Sequence, residues 1–327
     1  MATRPSTPAP RWRWIGGTLL LVALLVLALR HVEWARFAEI AENAEPAWLL
    51  AAVLLQLATY VFAAGALHRG IAASGIHRPL RGLIPLGVAK LFVDQVVPTA
   101  GLGGTLLVVR ALERRGISRG VATAAVVVNL LTFYAAYAIA VGATLLALWL
   151  RRSLHPAVLV LLTAFAVYAI AMPVLILWIV YGGPRARPAW FSRVPGLSAA
   201  LRAIEEAPAS TLRHPALFLE STALQLLIVV ADAATLDVLL RALGHDVEFG
   251  VVFASFVLAS IAATVSLLPG GIGSFEAGSV ASLRYLGVPI ELALAATLLL
   301  RAFTAWLPLL PGLWFARREM HGLGGRT

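Results

Sequence analysis

The chain lacks cysteine altogether and has a single lysine, Lys90, among its 327 residues. Without cysteine it can form no disulfide, no thiolate nucleophile and no cysteine-ligated metal site. The lysine stands outside any G-x-x-x-x-G-K-[ST] sequence, so the chain carries no P-loop of the kind that binds ATP. Any transport by this chain would therefore draw on a gradient or a partner, or would be passive.

Charged residues are also scarce, at 13% of the chain against 60% hydrophobic residues. A soluble domain carries about twice that charged fraction. So many apolar residues cannot all be hidden in one core, and lipid must be the solvent for much of the chain. The composition predicts a membrane protein that crosses the bilayer several times.

The formal net charge of +10 would suggest nucleic-acid binding in a soluble protein. Here the arginines cluster in short segments between apolar runs, which is the pattern that membrane topology produces. We therefore expect no nucleic-acid partner. Eighteen arginines lie in the segments on the side of both termini and five lie in the opposite loops, so the positive-inside rule places both termini in the cytoplasm.

Long apolar runs divide the chain into candidate spans. They fall at about residues 14–29, 46–67, 83–97, 120–150, 156–181, 214–240, 249–268 and 291–315. Hydropathy alone would read these as about 8 spans, because a spanning helix needs about 20 apolar residues. The first run resembles a signal peptide but lacks a good cleavage site, and we expect an uncleaved span there.

Two of these runs stop at clusters of proline and glycine, where a lipid-facing helix could not continue. The first break contains Pro98, Gly101, Gly103 and Gly104, and the second contains Pro269, Gly270, Gly271 and Gly273. Short segments follow the breaks, at 105–115 and 274–286. We expect two re-entrant helical hairpins, because 83–97 and 274–286 are short for spanning. The alternative is that both helices of each pair cross the membrane fully. The segments that flank the pair would then lie on the same sides as they do with a re-entrant hairpin.

The two breaks share their spacing. Pro98 precedes Gly116 by 18 residues, and Pro269 precedes Gly287 by 18 residues. Farther on, N-L-L-T at 129–132 matches R-A-F-T at 301–304 with nearly the same offset. The agreement in order and offset indicates an internal duplication.

Three full spans separate the breaks, and an odd number of spans inverts the second copy. We therefore predict an all-α membrane protein with six full spans and two broken hairpins in an inverted repeat, the plan of secondary transporters. The single membrane domain, 1–327, would contain repeat 1 at about 46–150, repeat 2 at about 214–318 and a cytoplasmic linker at 182–213.

Three motifs resemble the lysylphosphatidylglycerol synthase transmembrane-region family. They are V-V-P-T-A-G-L-G-G (96–104), P-G-G-I-G-S-F-E (269–276) and R-A-F-T-A-W-L-P-L-L-P-G-L (301–313). This flippase-like domain also precedes the synthase domain of multiple peptide resistance factor. The resemblance covers about residues 14–318 and implies a stand-alone lipid-translocation domain in a bacterial inner membrane.

In fused members of that family the domain carries aminoacylated phosphatidylglycerol, and other members accompany glycolipid, polyprenol-linked or hopanoid pathways. This sequence departs from the family in two ways. No synthase domain follows the last span, so lysyl transfer is not expected. The family often has an arginine where this chain has Asn129, so the corresponding charge contact in the first repeat is not expected either.

Placing an ionisable residue at membrane depth costs several kcal/mol unless it is paired with an opposite charge or reached by water. Such residues are therefore candidates for function. Lys90 and Asp94 share a helix face, either as an ion pair or as a headgroup site. Glu276 either caps a helix or serves as a counter-charge or proton acceptor. Arg301 either pairs with Glu276 or binds a lipid phosphate. Arg110 either meets phosphates or is a loop arginine.

Other polar residues have structural explanations. Asp232 lies deep enough in its run to need a partner, whereas Asp237 lies near the interface. Tyr134 and Tyr137 share a polar stripe with Asn129 that helix–helix hydrogen bonds would explain. The histidines form no H-x-x-x-H pair, and we expect no metal and no cofactor. The helix N-termini at the breaks could offer N–H groups to a phosphate.

These features predict a flippase-like protein that moves a phosphate-bearing lipid between leaflets: a phospholipid, an aminoacyl-phospholipid or a polyprenol-linked or glycolipid. An alternative is a membrane scaffold for a lipid-modifying enzyme. A third hypothesis is a membrane-embedded lipid enzyme, although the sequence has no recognisable acid–base constellation. Membrane lipid is the expected partner, joined on the second hypothesis by the enzyme.

Overall fold

The computed structural model describes residues 45–96, 102–181, 214–266, 268–309 and 311–315, and all regular elements within them are helical. The helices are α1 (Pro46–Ala72), α2 (Ile84–Val96), α3 (Leu102–Arg114), α4 (Arg119–Leu150), α5 (Pro156–Tyr181), α6 (Pro215–Ala242), α7 (Phe249–Val265), α8 (Ser274–Tyr285) and α9 (Ile290–Arg301). Short 3-10 turns occupy Leu80–Gly82 and Pro269–Gly271. A π-helical turn, Ala302–Trp306, continues α9.

Five helical segments are long and apolar enough to cross a bilayer. They are Pro46–Ala72, Arg119–Leu150, Pro156–Trp178, Pro215–Ala242 and Ile290–Phe315. The prediction of an all-α, multi-pass membrane protein is confirmed. The predicted first span, 14–29, and the linker, 182–213, lie outside the described residues.

Helices α1 and α6 form an antiparallel pair along their whole length. At one end the Glu45 N–H donates to the Ala242 carbonyl at 3.2 Å. At the other end Arg69 forms an ion pair with Glu220. These two contacts fix the register of the pair and bring the middle of α1 against the second half of α6.

Helix α4 is the central element of the described bundle, since it contacts α1, α3, α5, α6 and α7. Eight successive residues, 121–128, are buried, as expected for a helix that is surrounded on all sides. Small side chains allow the close approach: a Cβ added to Gly70 of α1 would lie 2.9 Å from the Cα of Ala125. By contrast, α5 exposes Val160, Val167 and Ile170, as a lipid-facing helix does.

Helices α2 and α3 form the first hairpin. The guanidinium of Arg78, before α2, donates to the carbonyl of Arg115, after α3, so the chain enters and leaves this hairpin at the same end. Each helix has 13 residues and is therefore about 20 Å long. That is shorter than a hydrocarbon core of about 30 Å.

Helices α7 and α8 form the second hairpin, and its two ends also meet. Arg151 forms an ion pair with Glu248, directly before α7, and the Tyr285 hydroxyl at the end of α8 donates to the Ser153 carbonyl at 2.7 Å. Helix α7 has 17 residues and α8 has 12, which correspond to about 26 and 18 Å. A Cβ added to Gly278 would lie 2.9 Å from the Cβ of Ala262, so the two helices pack closely.

The same order of elements occurs in both halves of the described chain. A long helix, a hairpin of two shorter helices and a second long segment follow one another as α1, α2–α3 and α4, and again as α6, α7–α8 and Ile290–Phe315. The predicted repeat boundaries, 46–150 and 214–318, enclose these two series.

Candidate functional site

The second break is a tight turn that requires glycine. Gly270, Gly271 and Gly273 have φ values of +59°, +64° and +82°, in the left-handed region where other residues pay about 1–2 kcal/mol. Space is also short, because a Cβ on Gly271 would lie 2.5 Å from the Cβ of Ala263. The turn reverses the chain and starts α8 directly behind it.

Glu276 and Arg301 meet at this turn. The Nε of Arg301 donates to Oε1 of Glu276 at 2.7 Å, and its Nη2 donates to the Gly270 carbonyl at 2.8 Å. The other carboxylate oxygen of Glu276, Oε2, accepts the Gly273 N–H at 2.7 Å. The guanidinium also lies over the Phe275 ring, 5.2 Å from its centre. The Glu276–Arg301 pair thus joins the turn, the start of α8 and the end of α9.

The pair lies deep in the last span. Arg301 is the twelfth of the 26 residues in Ile290–Phe315, so it stands near the middle of a segment about 39 Å long. The Arg301 side chain is 14% exposed and that of Glu276 is 22% exposed. A guanidinium has five N–H donors, and the two bonds above engage two of them. The site is therefore neutral and mostly enclosed, yet it retains donors for an anion.

The first hairpin reaches this site. Helix α2 contacts the Pro269–Gly271 turn. The segment that follows Arg301 also packs on α2, since a Cβ on Gly312 would lie 2.5 Å from the Cβ of Phe92. Lys90 is on this helix, partly buried and engaged in an interaction of its own. The second break therefore lies against the helix that leads into the first.

The remaining predicted site residues have different surroundings. Arg110 is exposed on α3, and no ion pair joins it to an acidic residue in the described part of the chain. Gly103 and Gly104 lie in the first turn of α3. The side chain of Asp94, together with Pro98 and Gly101, lies outside the described residues.

A second polar cluster lies between α1 and α6. The buried Gln56 donates from Nε2 to Oδ1 of Asp232 at 3.0 Å and to Oγ1 of Thr235 at 2.9 Å. Thr235 in turn donates to the Ala231 carbonyl at 2.8 Å. The sequence indicates that Asp232 needs a partner, but the partner is a neutral residue about 180 positions away. Gln56 and Thr235 carry no charge or motif that would have identified them.

Neutral polar contacts also link the other spans. Gln225 of α6 donates to the Asn129 side-chain oxygen at 2.7 Å, and the Tyr134 and Tyr168 hydroxyls lie 3.3 Å apart. These contacts are the helix–helix hydrogen bonds that the polar stripe on α4 would form. Near the end of α6, Asp237 pairs with Arg241 at 3.0 Å.

The described residues contain no group of three or more His, Cys, Asp or Glu side chains arranged to hold a metal ion. The polar contacts described above are the Glu276–Arg301 pair, the Gln56–Asp232–Thr235 cluster, the neutral contacts between helices, and the ion pairs Arg69–Glu220 and Asp237–Arg241 toward the ends of helices. Of these, the pair has the donors and the helix N-terminus that an anionic group would use.

Comparison with known proteins places this geometry in context. A family model described as "Lysylphosphatidylglycerol synthase TM region" matches residues 14–312, which includes both breaks, Glu276 and Arg301. A protein from Bacillus subtilis (strain 168), named phosphatidylglycerol lysyltransferase, is 33% identical over 81 residues. That match spans 25% of this chain and 10% of the Bacillus protein.

Proposed function

The chain belongs to the lysylphosphatidylglycerol synthase TM region family, and from that premise we propose that it moves a phosphate-bearing lipid between the leaflets of a bacterial inner membrane. The proposed lipids are phospholipids, aminoacyl-phospholipids and polyprenol-linked or glycolipids. The likeness to a protein named for phosphatidylglycerol supports a lipid of this class. The lipid tails would stay in the bilayer while the headgroup passes through the protein.

The observation that carries this proposal is the position of Arg301 beside a broken turn at membrane depth. A phosphate is recognised by guanidinium forks and by the free N–H groups of a helix N-terminus. Both are present where Arg301 faces the start of α8. Glu276 occupies them through its bonds to the Arg301 Nε and the Gly273 N–H. We interpret Glu276 as an internal substitute for the lipid phosphate.

This interpretation implies that Arg301 exchanges Glu276 for the lipid phosphate during transport. Removing one member of a buried ion pair costs about 3–5 kcal/mol, so Arg301 would not be released to an empty site. An arriving phosphate would instead replace the Glu276 carboxylate on Arg301. The freed carboxylate would then be available to the amine of a zwitterionic or aminoacylated headgroup. When the lipid leaves, Glu276 would return and keep the site neutral.

We also propose that both hairpins are re-entrant and form an inverted repeat, with both termini in the cytoplasm. Four helices of 12 to 17 residues are short for a core of about 30 Å. Contacts at the ends of each hairpin, Arg78 with Arg115 and Tyr285 with Ser153, agree with entry and exit at one face. Contact between α2 and the second break supports a path between the hairpins.

Headgroup movement in proteoliposomes tests the function. Fluorescent phospholipids with anionic or zwitterionic headgroups would be followed with a membrane-impermeant quencher. Wild type should move lipid, and Arg301→Ala should lose most of that movement. The matched control is Arg151→Ala, which also removes an arginine paired with a glutamate, but at the hairpin ends. Equal loss in both variants, each shown to be folded, would contradict a site at Arg301.

A scaffold for a lipid-modifying enzyme is the second candidate. The Bacillus relative is itself named as a lipid-modifying enzyme, which favours association with such chemistry. On this hypothesis Glu276→Gln and Arg301→Ala would leave the cellular product of the enzyme unchanged, provided that the protein folds. Co-purification of a lipid-modifying enzyme that survives both substitutions would favour the scaffold over the translocase.

A further inference from the structure

Asp232 has no part in the site around Arg301, yet it lies within the membrane. It is ten residues before the end of α6 at Ala242, and Gln56 is ten residues after the start of α1 at Pro46. Each is therefore about 15 Å from the same end of the α1–α6 pair. Since each of the two helices is only about 10–12 Å longer than a 30 Å core, both side chains lie well inside the hydrocarbon region.

No basic side chain of the described residues pairs with this carboxylate. The arginines on α6 and on the helices that contact it pair elsewhere: Arg69 with Glu220, Arg119 with Glu113, Arg241 with Asp237 and Asp246, and Arg301 with Glu276. Helix α7 contains no ionisable residue, Glu291 of α9 is exposed, and His68 lies near the far end of α1. Asp232 is thus a membrane-embedded acid with neutral neighbours.

Two tyrosines lie on neighbouring helix positions. Tyr60 is one helical turn after Gln56 on α1, and Tyr137 lies on α4, which packs against both α1 and α6. Tyr60 is only 9% exposed, and its hydroxyl finds no hydrogen-bond partner among the described residues. The Tyr60 hydroxyl can therefore gain a hydrogen bond from a polar group that moves next to it.

The chemistry of the cluster selects its ligand. The negative charge of Asp232 repels an anionic headgroup. Gln56 turns its amide N–H toward Asp232 and Thr235, so its carbonyl oxygen is not available there to a metal ion, and hard cations such as Ca²⁺ and Mg²⁺ need about six oxygen ligands. A proton needs only one carboxylate lone pair. Once bound, it leaves Asp232 as a neutral carboxylic acid whose carbonyl oxygen can still accept the Gln56 N–H.

We propose that Asp232, bonded by Gln56 at the α1–α6 contact, is a proton-binding site that couples lipid movement to the proton gradient. A proton from water on one side of the membrane binds the carboxylate and gives a neutral carboxylic acid. Its release to water on the other side regenerates the carboxylate, so no other reactant is consumed. The coupling rests on the proposed lipid translocation, whereas proton binding itself does not.

Infrared difference spectroscopy tests proton binding without any lipid assay. The full chain in lipid is stepped from acidic to alkaline buffer, in H₂O and in D₂O. We expect a protonated-carboxyl band that shifts in D₂O, is lost in Asp232→Asn and is retained in Asp246→Asn, which removes an exposed carboxylate. Persistence of the band in folded Asp232→Asn would overturn the proposal. So would an Asp232 signal that responds to sodium and not to pH.

Gln56→Met provides a second variant in case Asp232→Asn does not fold. It keeps the length of the side chain and removes the amide that bonds Asp232. We expect a shifted frequency for the carboxyl band and a displaced pH midpoint for its appearance. An unchanged frequency and midpoint would contradict the assignment of the band to the carboxyl beside Gln56.

Coupling is tested in proteoliposomes with pH gradients of both signs. Wild type should move lipid faster under one sign than under the other, and Asp232→Asn should move it at one rate under both. Wild-type movement that ignores the gradient would overturn coupling but leave lipid translocation intact. Absence of any lipid movement would refute the proposed function and with it the coupling, while the infrared result would still decide proton binding.

Discussion

Arg301 reaches Glu276 across 25 positions of sequence and closes a bond of 2.7 Å between its Nε and the carboxylate. The same guanidinium bonds the Gly270 carbonyl, and the same carboxylate caps the start of α8 through the Gly273 N–H. The pair therefore stabilises an irregular backbone segment at membrane depth. Its two components are also those that a phosphate and an amine would bind.

Stability should depend on this pair in a coupled way. Because each side chain also bonds the turn, Arg301→Ala and Glu276→Gln should each lower stability, by about 3–5 kcal/mol. The double variant should cost less than the sum of the single variants, since the second change removes a group already left without its partner. Thermal unfolding of wild type, the two single variants and the double variant in detergent micelles gives the coupling free energy between the two side chains. Strictly additive losses would show that the two side chains do not act together.

Gly271→Ala should destabilise the second break. The change places a Cβ where φ is +64° and where the Ala263 Cβ would be 2.5 Å away. We expect a loss of about 2 kcal/mol or more from the left-handed backbone and the overlap. The measurement is the melting temperature of the purified protein.

Gly142→Ala is the matched control for that change. Gly142 lies within α4, and a Cβ there would meet no atom within 4 Å. Because alanine favours a helix over glycine by about 1 kcal/mol, this variant should be at least as stable as wild type. If Gly271→Ala melted at the same temperature as Gly142→Ala, the turn would not require glycine.

Gln56→Leu should leave Asp232 without its bonded amide. A buried polar group that loses its partner costs about 1–3 kcal/mol, and we expect a corresponding drop in melting temperature. Adding Asp232→Leu should recover part of the loss, since the unsatisfied carboxyl is then removed. A double variant less stable than Gln56→Leu would contradict this account of the α1–α6 contact.

Asn129→Arg tests a position where the resemblance to the family implies an arginine. The Asn129 side chain accepts a hydrogen bond from Gln225, a neutral residue that cannot form an ion pair with an arginine. An unpaired arginine at the centre of a membrane helix costs about 2.5–3.5 kcal/mol on insertion scales, so the variant should be less stable than Asn129→Gln. Equal stability with faster lipid movement would reveal a site for charge in the first repeat.

Much of the architecture could be predicted from the sequence because apolar length is a direct physical signal. The described spans match the predicted runs, and α2 and α8 match the short segments 83–97 and 274–286 closely. The resemblance based on the proline–glycine motifs is confirmed by the family match over residues 14–312. The distribution of the arginines predicted on which side of the membrane the loops and termini lie. This orientation remains a prediction.

The site was predictable only where charge or motif marked it. Glu276 and Arg301 stood out as ionisable residues in apolar runs, and the structure brings them together. The position of α2 against the second break could not be predicted, because packing between hairpins follows from shape and not from local pattern. Gln56 and Thr235 were missed for a related reason: neutral polar residues are common in membrane helices, and their partners depend on the register of α1 against α6.

The most direct test of the central claim is headgroup movement in proteoliposomes by wild type, Arg301→Ala and Glu276→Gln/Arg301→Ala, each verified as folded. We predict movement of a phosphate-bearing lipid by wild type, and its loss in both variants. Wild-type protein that is folded but moves no anionic, zwitterionic or polyprenyl lipid would contradict the account. Full movement in the absence of Arg301 would contradict the proposed phosphate site.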